Sequence, residues 1–270
     1  ANISIAYSRI VDFKNKLKYY EEAIKNNSNN SSLKLSLSYL YLYKNKFAEA
    51  WELFDSRIDN SKFFKKKYNQ NLIDFIFKNN QQFDKNKKIL VLREQGVGEE
   101  ILFSSIYPDL INYSKNIVIE CDHRLLNIFE RSFGKNYFVN DGKFSKNLDG
   151  LKKFDSIIFA GSLCKIFRRY KNDFHKNKYL ISSKNKNKII RQSYFRDKNK
   201  LQVGLSWKSV VSIYGKLKSL DLLDFRDLFK KNRQIINLQY GDVKEEIKKI
   251  ENENLKIYSF EDVDLFNDLE

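Results

Sequence analysis

Hydrophobic positions along this chain follow two regimes. In roughly the first eighty residues, apolar side chains recur three and four apart, as in FKNKLKYYEEAI, SSLKLSLSYLYLY and FAEAWELFDSRI, the spacing of a helical face. From Lys88 onward, short apolar runs alternate with helical segments. Lys88–Arg93, Asn116–Glu120, Tyr137–Val139 and Phe154–Ala160 read as strands, with helices expected over Glu99–Tyr113, His123–Phe133 and Gly161–Tyr170. This alternation predicts a parallel, doubly wound sheet. A basic, polar stretch from Lys176 to Lys200, with a helical IIRQSYF inside it, reads as a crossover. The pattern then restarts: LQVGLSW as a strand, Leu220–Lys231 as a helix, Gln234–Gln239 as a strand, Val243–Glu251 as a helix and Leu255–Tyr258 as a strand.

The helical region repeats itself. Tyr7 and Tyr41, Phe13 and Phe47, Leu17 and Trp51, Tyr20 and Phe54, and Ile24 and Ile58 are all 34 residues apart. A period of about 34 with helix-turn-helix patterning is the signature of tetratricopeptide repeats. The fold class expected is therefore α plus α/β. Repeats over 1–60 and a helical connection over 61–86 precede a Rossmann-like domain over 87–183. A basic crossover over 184–200 leads to a second Rossmann-like domain over 201–270. Three strands are few for that second domain, so the chain reads as cut short, and Ala1 in place of Met reads as an internal start.

The stretch KKILVLREQGVGEEILFSSIYPDL concentrates the chemistry. A buried strand meets a glycine turn, and two acids, Glu99 and Glu100, open the next helix. Open α/β sheets bind ligands at the carboxyl ends of their strands. Acids at a helix start complement its dipole, so two readings stand for Glu99: a helix-start residue or a catalytic carboxylate. Glu100 reads as a helix-start residue.

Composition narrows the partners. Fifty Lys and Arg against 34 Asp and Glu give +16. Such an excess suits nucleic acid, a nucleotide or an acidic membrane surface as a peripheral contact. It also follows from KNK and NKN runs spread over every region, with no concentrated patch. Cys121 and Cys164 lack zinc spacing and read as small buried hydrophobes of a reduced, cytoplasmic chain. No apolar run approaches the roughly 20 residues that span a bilayer.

Helical repeats followed by REQGVGEE and then VGLSWKS, KLKSL and NLQYGD resemble the bacterial tetratricopeptide-repeat proteins with a GT-B glycosyltransferase module. That module is related to the family 9 heptosyltransferases and distantly to O-linked N-acetylglucosamine transferase. The resemblance covers nearly the whole chain. It implies an acceptor-binding first domain, a nucleotide-sugar-binding second domain and no metal or other cofactor. It makes Glu99 the general base, where the family usually has Asp, with Gln95, Gly96 and Gly98 lining the cleft. It places Lys208, Ser209 and Lys218 on the donor diphosphate, where a positioned ammonium stabilises the departing charge. Trp207, Gln239 and Tyr240 would line the same cleft.

Other signals are weaker. Asp262-Val263-Asp264 spells a metal motif of another glycosyltransferase class but falls in an acidic tail. His123 and His175 have no partner at a ligand spacing. The turn lacks the third glycine of a dinucleotide fingerprint and the Lys-Ser/Thr of a phosphate loop, which disfavours NAD and ATP. A second class of function is a scaffold in which the repeats recruit a protein partner and the GT-B module is degenerate. Specific nucleic-acid binding is disfavoured because the aromatics follow core periodicity.

Overall fold

A computed structural model of the chain describes residues 13–80, 83–195, 199–209, 215, 218–230, 232–260 and 263–269. Tyr7 of the repeat and Asp262 of the acidic tail lie outside them. The chain divides into two compact units, 1–181 and 182–270.

The first unit opens with helices α1 (Phe13–Asn26), α2 (Ser31–Tyr43) and α3 (Phe47–Phe54). Asn30 starts α2 by accepting from the Leu33 N–H at 3.0 Å. Tyr20, Leu33, Leu37 and Leu40 form the apolar centre of this bundle. Of the residues paired at the 34-residue spacing, Tyr20, Trp51, Phe54 and Ile58 are buried. The single helix expected over FAEAWELFDSRI breaks after Phe54, and a short α4 (Arg57–Asn60) follows. Ser56 Oγ donates back to the Leu53 carbonyl at 2.7 Å, a local bond that competes with the helical ladder. Helices α5 (Lys62–Lys67) and α6 (Gln70–Asn80) lead to the sheet.

The sheet follows from the apolar runs. Strands β1 (Ile89–Leu92), β2 (Ile117–Cys121), β3 (Phe138–Asn140) and β4 (Ser156–Phe159) lie in the order β3-β2-β1-β4, all parallel. Val91 stands opposite Ile119 on one side and Ile158 on the other. All of β1 and β4 is buried, as a parallel sheet covered on both faces requires. One cover is α6, whose Leu72, Ile73 and Ile76 join Leu90, Leu92, Ile157 and Phe159 in one core.

Helix boundaries depart from the sequence reading. The helix expected over Glu99–Tyr113 is two, α7 (Val97–Ser104) and α8 (Tyr107–Tyr113). Pro108 sits in the first turn of α8, where its missing N–H costs nothing; in the middle of one long helix it would break the ladder. After β2, helix α9 starts at Leu126 rather than His123, because Asp122 caps the preceding turn through the Arg124 N–H at 3.0 Å. A short α10 (Leu148–Leu151) precedes β4. The segment after β4 is a 3-10 turn, Ala160–Leu163, running into the short α11 (Cys164–Phe167).

The second unit begins with α12 (Lys184–Tyr194), longer than IIRQSYF alone. Strands β5 (Leu201–Leu205), β6 (Arg233–Asn237) and β7 (Ile257–Tyr258) form a second parallel sheet in that order. Leu205, Trp207, Leu222, Ile235, Val243, Ile250 and Ile257 make its core. The helix expected over Leu220–Lys231 is a 3-10 segment, Leu222–Leu228, started by reciprocal bonds between Asp221 and Asp224. Helix α13 (Lys244–Asn252) packs on the same core. The architecture is thus helices followed by two parallel α/β sheets. Among the described residues, no helix is long and apolar enough to cross a membrane.

Candidate functional site

In the order β3-β2-β1-β4 the winding of successive strands switches sides between β1 and β4, and open α/β sheets place ligands at the carboxyl edge beside that switch. In this chain the place is filled by its own side chains. Arg57, fully buried, reaches from α4 to the second residue after β1, Glu94, also fully buried. Its Nε and Nη2 donate to the two Glu94 oxygens at 2.6 and 2.7 Å, the bidentate geometry that suits guanidinium and carboxylate. Arg57 also donates to Asp55 Oδ1 at 2.8 Å and Ser162 Oγ at 3.0 Å, and the Gly161 N–H donates to Glu94. Burial works against the charge on Arg57, but Glu94 and then Asp55 hold its pKa above the ordinary value. Gly161 is a steric requirement of this arrangement. A Cβ there would stand 2.6 Å from Glu94 Oε1 and 2.9 Å from the Phe103 ring.

A second cluster occupies the ends of β1, β2 and β3. Arg93 Nε lies 2.6 Å from Glu100 Oε1, in contact but off the hydrogen-bonding line, and 3.4 Å separates its Nη1 from both Asp122 and Asp141. The Asp122 N–H donates to the other Glu100 oxygen at 2.9 Å. Burial pushes the Glu100 carboxyl up to about 7 against the opposing pull of Arg93. Asp122 moves the other way, down to about 2, because Arg124 hydrogen-bonds it. Glu120, fully buried, accepts from the Phe144 and Ser145 N–H groups and from Ser145 Oγ, which fixes the loop after β3.

Glu100 stands in the first turn of α7, as expected of a helix-start residue, and it is in addition buried and set against Arg93. Neither Arg57–Glu94 nor Arg93–Glu100 appeared in the sequence reading. No spacing rule joins residues 57 and 94.

Glu99 differs from both neighbouring acids. It is exposed and has no hydrogen bond or ion pair among the described residues. Its Oε2 lies 3.1 Å from where a Gly96 Cβ would stand, so the carboxylate folds over the turn. Tyr39 of α2, itself half exposed, lies within electrostatic reach of Glu99, Arg57 and Glu94. The strained residue of the turn is Gln95, at φ 60°, rather than either glycine. Arg93 Nη2 donates to the Gln95 carbonyl at 3.3 Å. Gly98 has open space where a Cβ would go, so packing does not require glycine there. Gln95, Gly96, Gly98 and Glu99 are thus brought together in the first unit.

The second unit gathers the residues expected at the donor. Gln239, after β6, is buried, and its Oε1 accepts from Ser206 Oγ, Trp207 N–H and Lys208 N–H at 3.0, 3.0 and 2.9 Å. Its Nε2 donates to the Tyr240 carbonyl at 2.9 Å. Gln239 therefore positions the loop after β5 with its amide oxygen fully used. Lys208 donates to the Asp242 carbonyl at 3.1 Å and pairs with Glu246, whose carboxyl this bond holds below its usual range. The Ser209 N–H donates to Ser219 Oγ at 3.0 Å, and Lys218 stands exposed next to that serine. Trp207 is core, and Tyr240 is half-buried beside Phe266.

Among the described residues no group of His, Cys, Asp and Glu is arranged to hold a metal ion. Asp264 of the acidic tail instead caps a turn, accepting from the Phe266 and Asn267 N–H groups at 2.9 Å. Both cysteines are buried and free, and burial pushes the Cys164 thiol up to about 12. His123 and His175 lie near Asp122 and Asp109 at 3.5 and 3.3 Å, on the surface.

No protein-family model matches the chain, and no solved structure matches it. Protein FlbA of Caulobacter vibrioides is similar to it, at 24% identity over 206 residues. The match takes in 69% of this chain but 34% of that protein, so the chain corresponds to about a third of its relative's length.

Proposed function

We propose that this chain belongs to a GT-B-type glycosyltransferase that moves a sugar from a nucleotide-sugar donor to an acceptor hydroxyl. One observation carries the reading. Of the three acids around the turn after β1, Glu94 and Glu100 are buried against arginines, while Glu99 is exposed and unbonded among the described residues. A general base needs that freedom to come within about 2.6–3.2 Å of the hydroxyl it deprotonates. Glu99 takes the acceptor proton as the oxygen attacks the anomeric carbon. The bond from that carbon to the diphosphate oxygen breaks, and the nucleoside diphosphate leaves with the electron pair; in the second unit, Lys218 and Ser209 are the groups proposed for binding the donor's diphosphate. The strained Gln95 beside Glu99 supports the assignment, since such backbone is retained where its surroundings enforce it.

A second reading, a binding protein with a degenerate transferase module, is favoured by a different observation. Lys208 and Gln239 are already engaged within the chain, and Arg57 fills the sheet's usual ligand position.

Thermal-shift titration against nucleotide sugars, with nucleoside diphosphate release as the activity readout, separates the two. The transferase reading expects a donor that raises the melting midpoint and Lys218→Gln to weaken it. It expects Glu99→Gln to leave donor binding intact while slowing release by about 10²–10⁴-fold. A chain that responds to no nucleotide sugar, or a Glu99→Gln variant as active as the parent, overturns it.

A further inference from the structure

The second unit has a cavity that the proposed reaction does not use. It lies at the amino edge of the β5-β6-β7 sheet, opposite the edge that carries the loop after β5, and measures about 330 Å³. Lys200 precedes β5, Lys230 and Arg233 flank the start of β6, and Lys256 precedes β7; all four line it. Among the described residues, no lining residue is a carboxylate. Phe229 and Tyr258 supply flat apolar faces, with the Lys256 ammonium 4.6 Å above the Tyr258 ring.

Elsewhere in this unit, two lysines are paired with carboxylates. Lys208 pairs with Glu246, and Lys186 with Asp268 at 2.5 Å. At the cavity, the Arg233 Nε–H is sealed from solvent and donates to nothing among the described residues. A buried donor without an acceptor is costly, and Lys230, Arg233 and Lys256 around one small space repel each other. A multiply charged oxyanion in the cavity offsets that repulsion. Guanidinium is the side chain best shaped to bind one, and the aromatic faces accept a planar ring.

We infer that this cavity is a binding site for a small phosphorylated ligand, distinct from the sugar-donor loop. Arg233, Lys230 and Lys256 contact the phosphate oxygens, and Phe229 and Tyr258 flank the rest of the molecule. The volume fits a small molecule, at the low end of the range for ligand pockets.

Calorimetric titration of pyrophosphate into the whole chain, at fixed ionic strength with a matched chloride control, tests this. Saturable binding is expected, together with a rise in the melting midpoint. Arg233→Gln and Lys256→Gln should each weaken it about tenfold or more, the value of one charge-assisted contact. Lys230→Gln, at an exposed position where folding is not at stake, should weaken it as well. The inference is overturned if pyrophosphate does no more than chloride. It is equally overturned if Lys218→Gln abolishes all binding while Lys230→Gln and Arg233→Gln retain it.

Discussion

The two units end their first strands in opposite ways. After β1 the first unit places Glu94 and, one turn later, Glu100, both buried and both set against arginines. After β5 the second unit relies on one neutral amide, Gln239, to gather three donors from the loop. A charged network in a dry site is stable only while every member is present, whereas a neutral amide carries no such liability. The first unit's turn is therefore locked to a distant helix, and the second unit's loop is held locally. Each unit contains one of the two tryptophans, Trp51 and Trp207, both buried. Single-tryptophan variants can follow the two units separately.

The sharpest way to break the contrast is Arg57→Met. It leaves the Glu94 carboxylate at zero exposure with no countercharge, which should destabilise the first unit by about 3–5 kcal/mol. Urea unfolding followed through Trp51 should shift accordingly, with the Trp207 signal unchanged. Adding Glu94→Gln should recover much of the loss, because the glutamine carbonyl still accepts the Gly161 N–H and no charge remains buried. If the double variant is less stable than Arg57→Met alone, the liability does not lie in the unpaired charge.

Glu100 gives a smaller effect, and one that pH controls. Its native pKa is raised from 4.5 to about 7, so the native state binds the proton more tightly than the unfolded chain. Its contribution to stability is complete below about pH 4.5 and is lost as pH rises through about 7. One pKa unit is about 1.4 kcal/mol, so the whole window amounts to ~3 kcal/mol. Glu100→Gln should flatten the fall in first-unit stability between about pH 5 and 7. Asp122 titrates below this window, since its native pKa is depressed to about 2 and its contribution is lost only as pH falls. An unchanged slope in Glu100→Gln would mean that Arg93 holds the carboxyl charged throughout.

These contrasts mark what a reader of the sequence can recover. Strands are legible because buried parallel strands are continuous apolar runs, and ILVL and SIIF are buried throughout. The different fates of Glu99 and Glu100 are also written in helical spacing. Glu100 shares a face with buried Phe103 and Ser104, and Glu99 shares one with Leu102, which is 64% exposed. Helix ends are less legible, since Ser56 and Asp122 set them through bonds to nearby backbone that compete closely with the ladder. The Arg57–Glu94 pair is not legible at all. It joins residues far apart in sequence, and either one alone reads as an ordinary surface charge. The role of Gln239 is hidden for the same reason, because its three donors lie more than thirty residues before it.

Gln239→Leu tests the local half of the comparison and should have the smallest effect on the molecule as a whole. Leucine keeps the volume but takes the acceptor from Ser206 Oγ and from the Trp207 and Lys208 N–H groups. Water can reach the exposed Ser206 and the partly exposed Lys208, which limits the loss, whereas Trp207 is buried. The expected cost is about 2 kcal/mol, expressed as opening of this loop rather than unfolding of the unit. Amide exchange at Trp207 and Lys208 should then quicken by about 30-fold, since 1.4 kcal/mol is tenfold, while Ile235 and Ile236 in β6 keep their protection. A donor held by Ser209 and Lys218 would also bind Gln239→Leu more weakly, because the loop that presents them is no longer fixed. Exchange that quickens equally in β6 would show that the amide supports the whole sheet, and the contrast between a distant lock and a local one would fail.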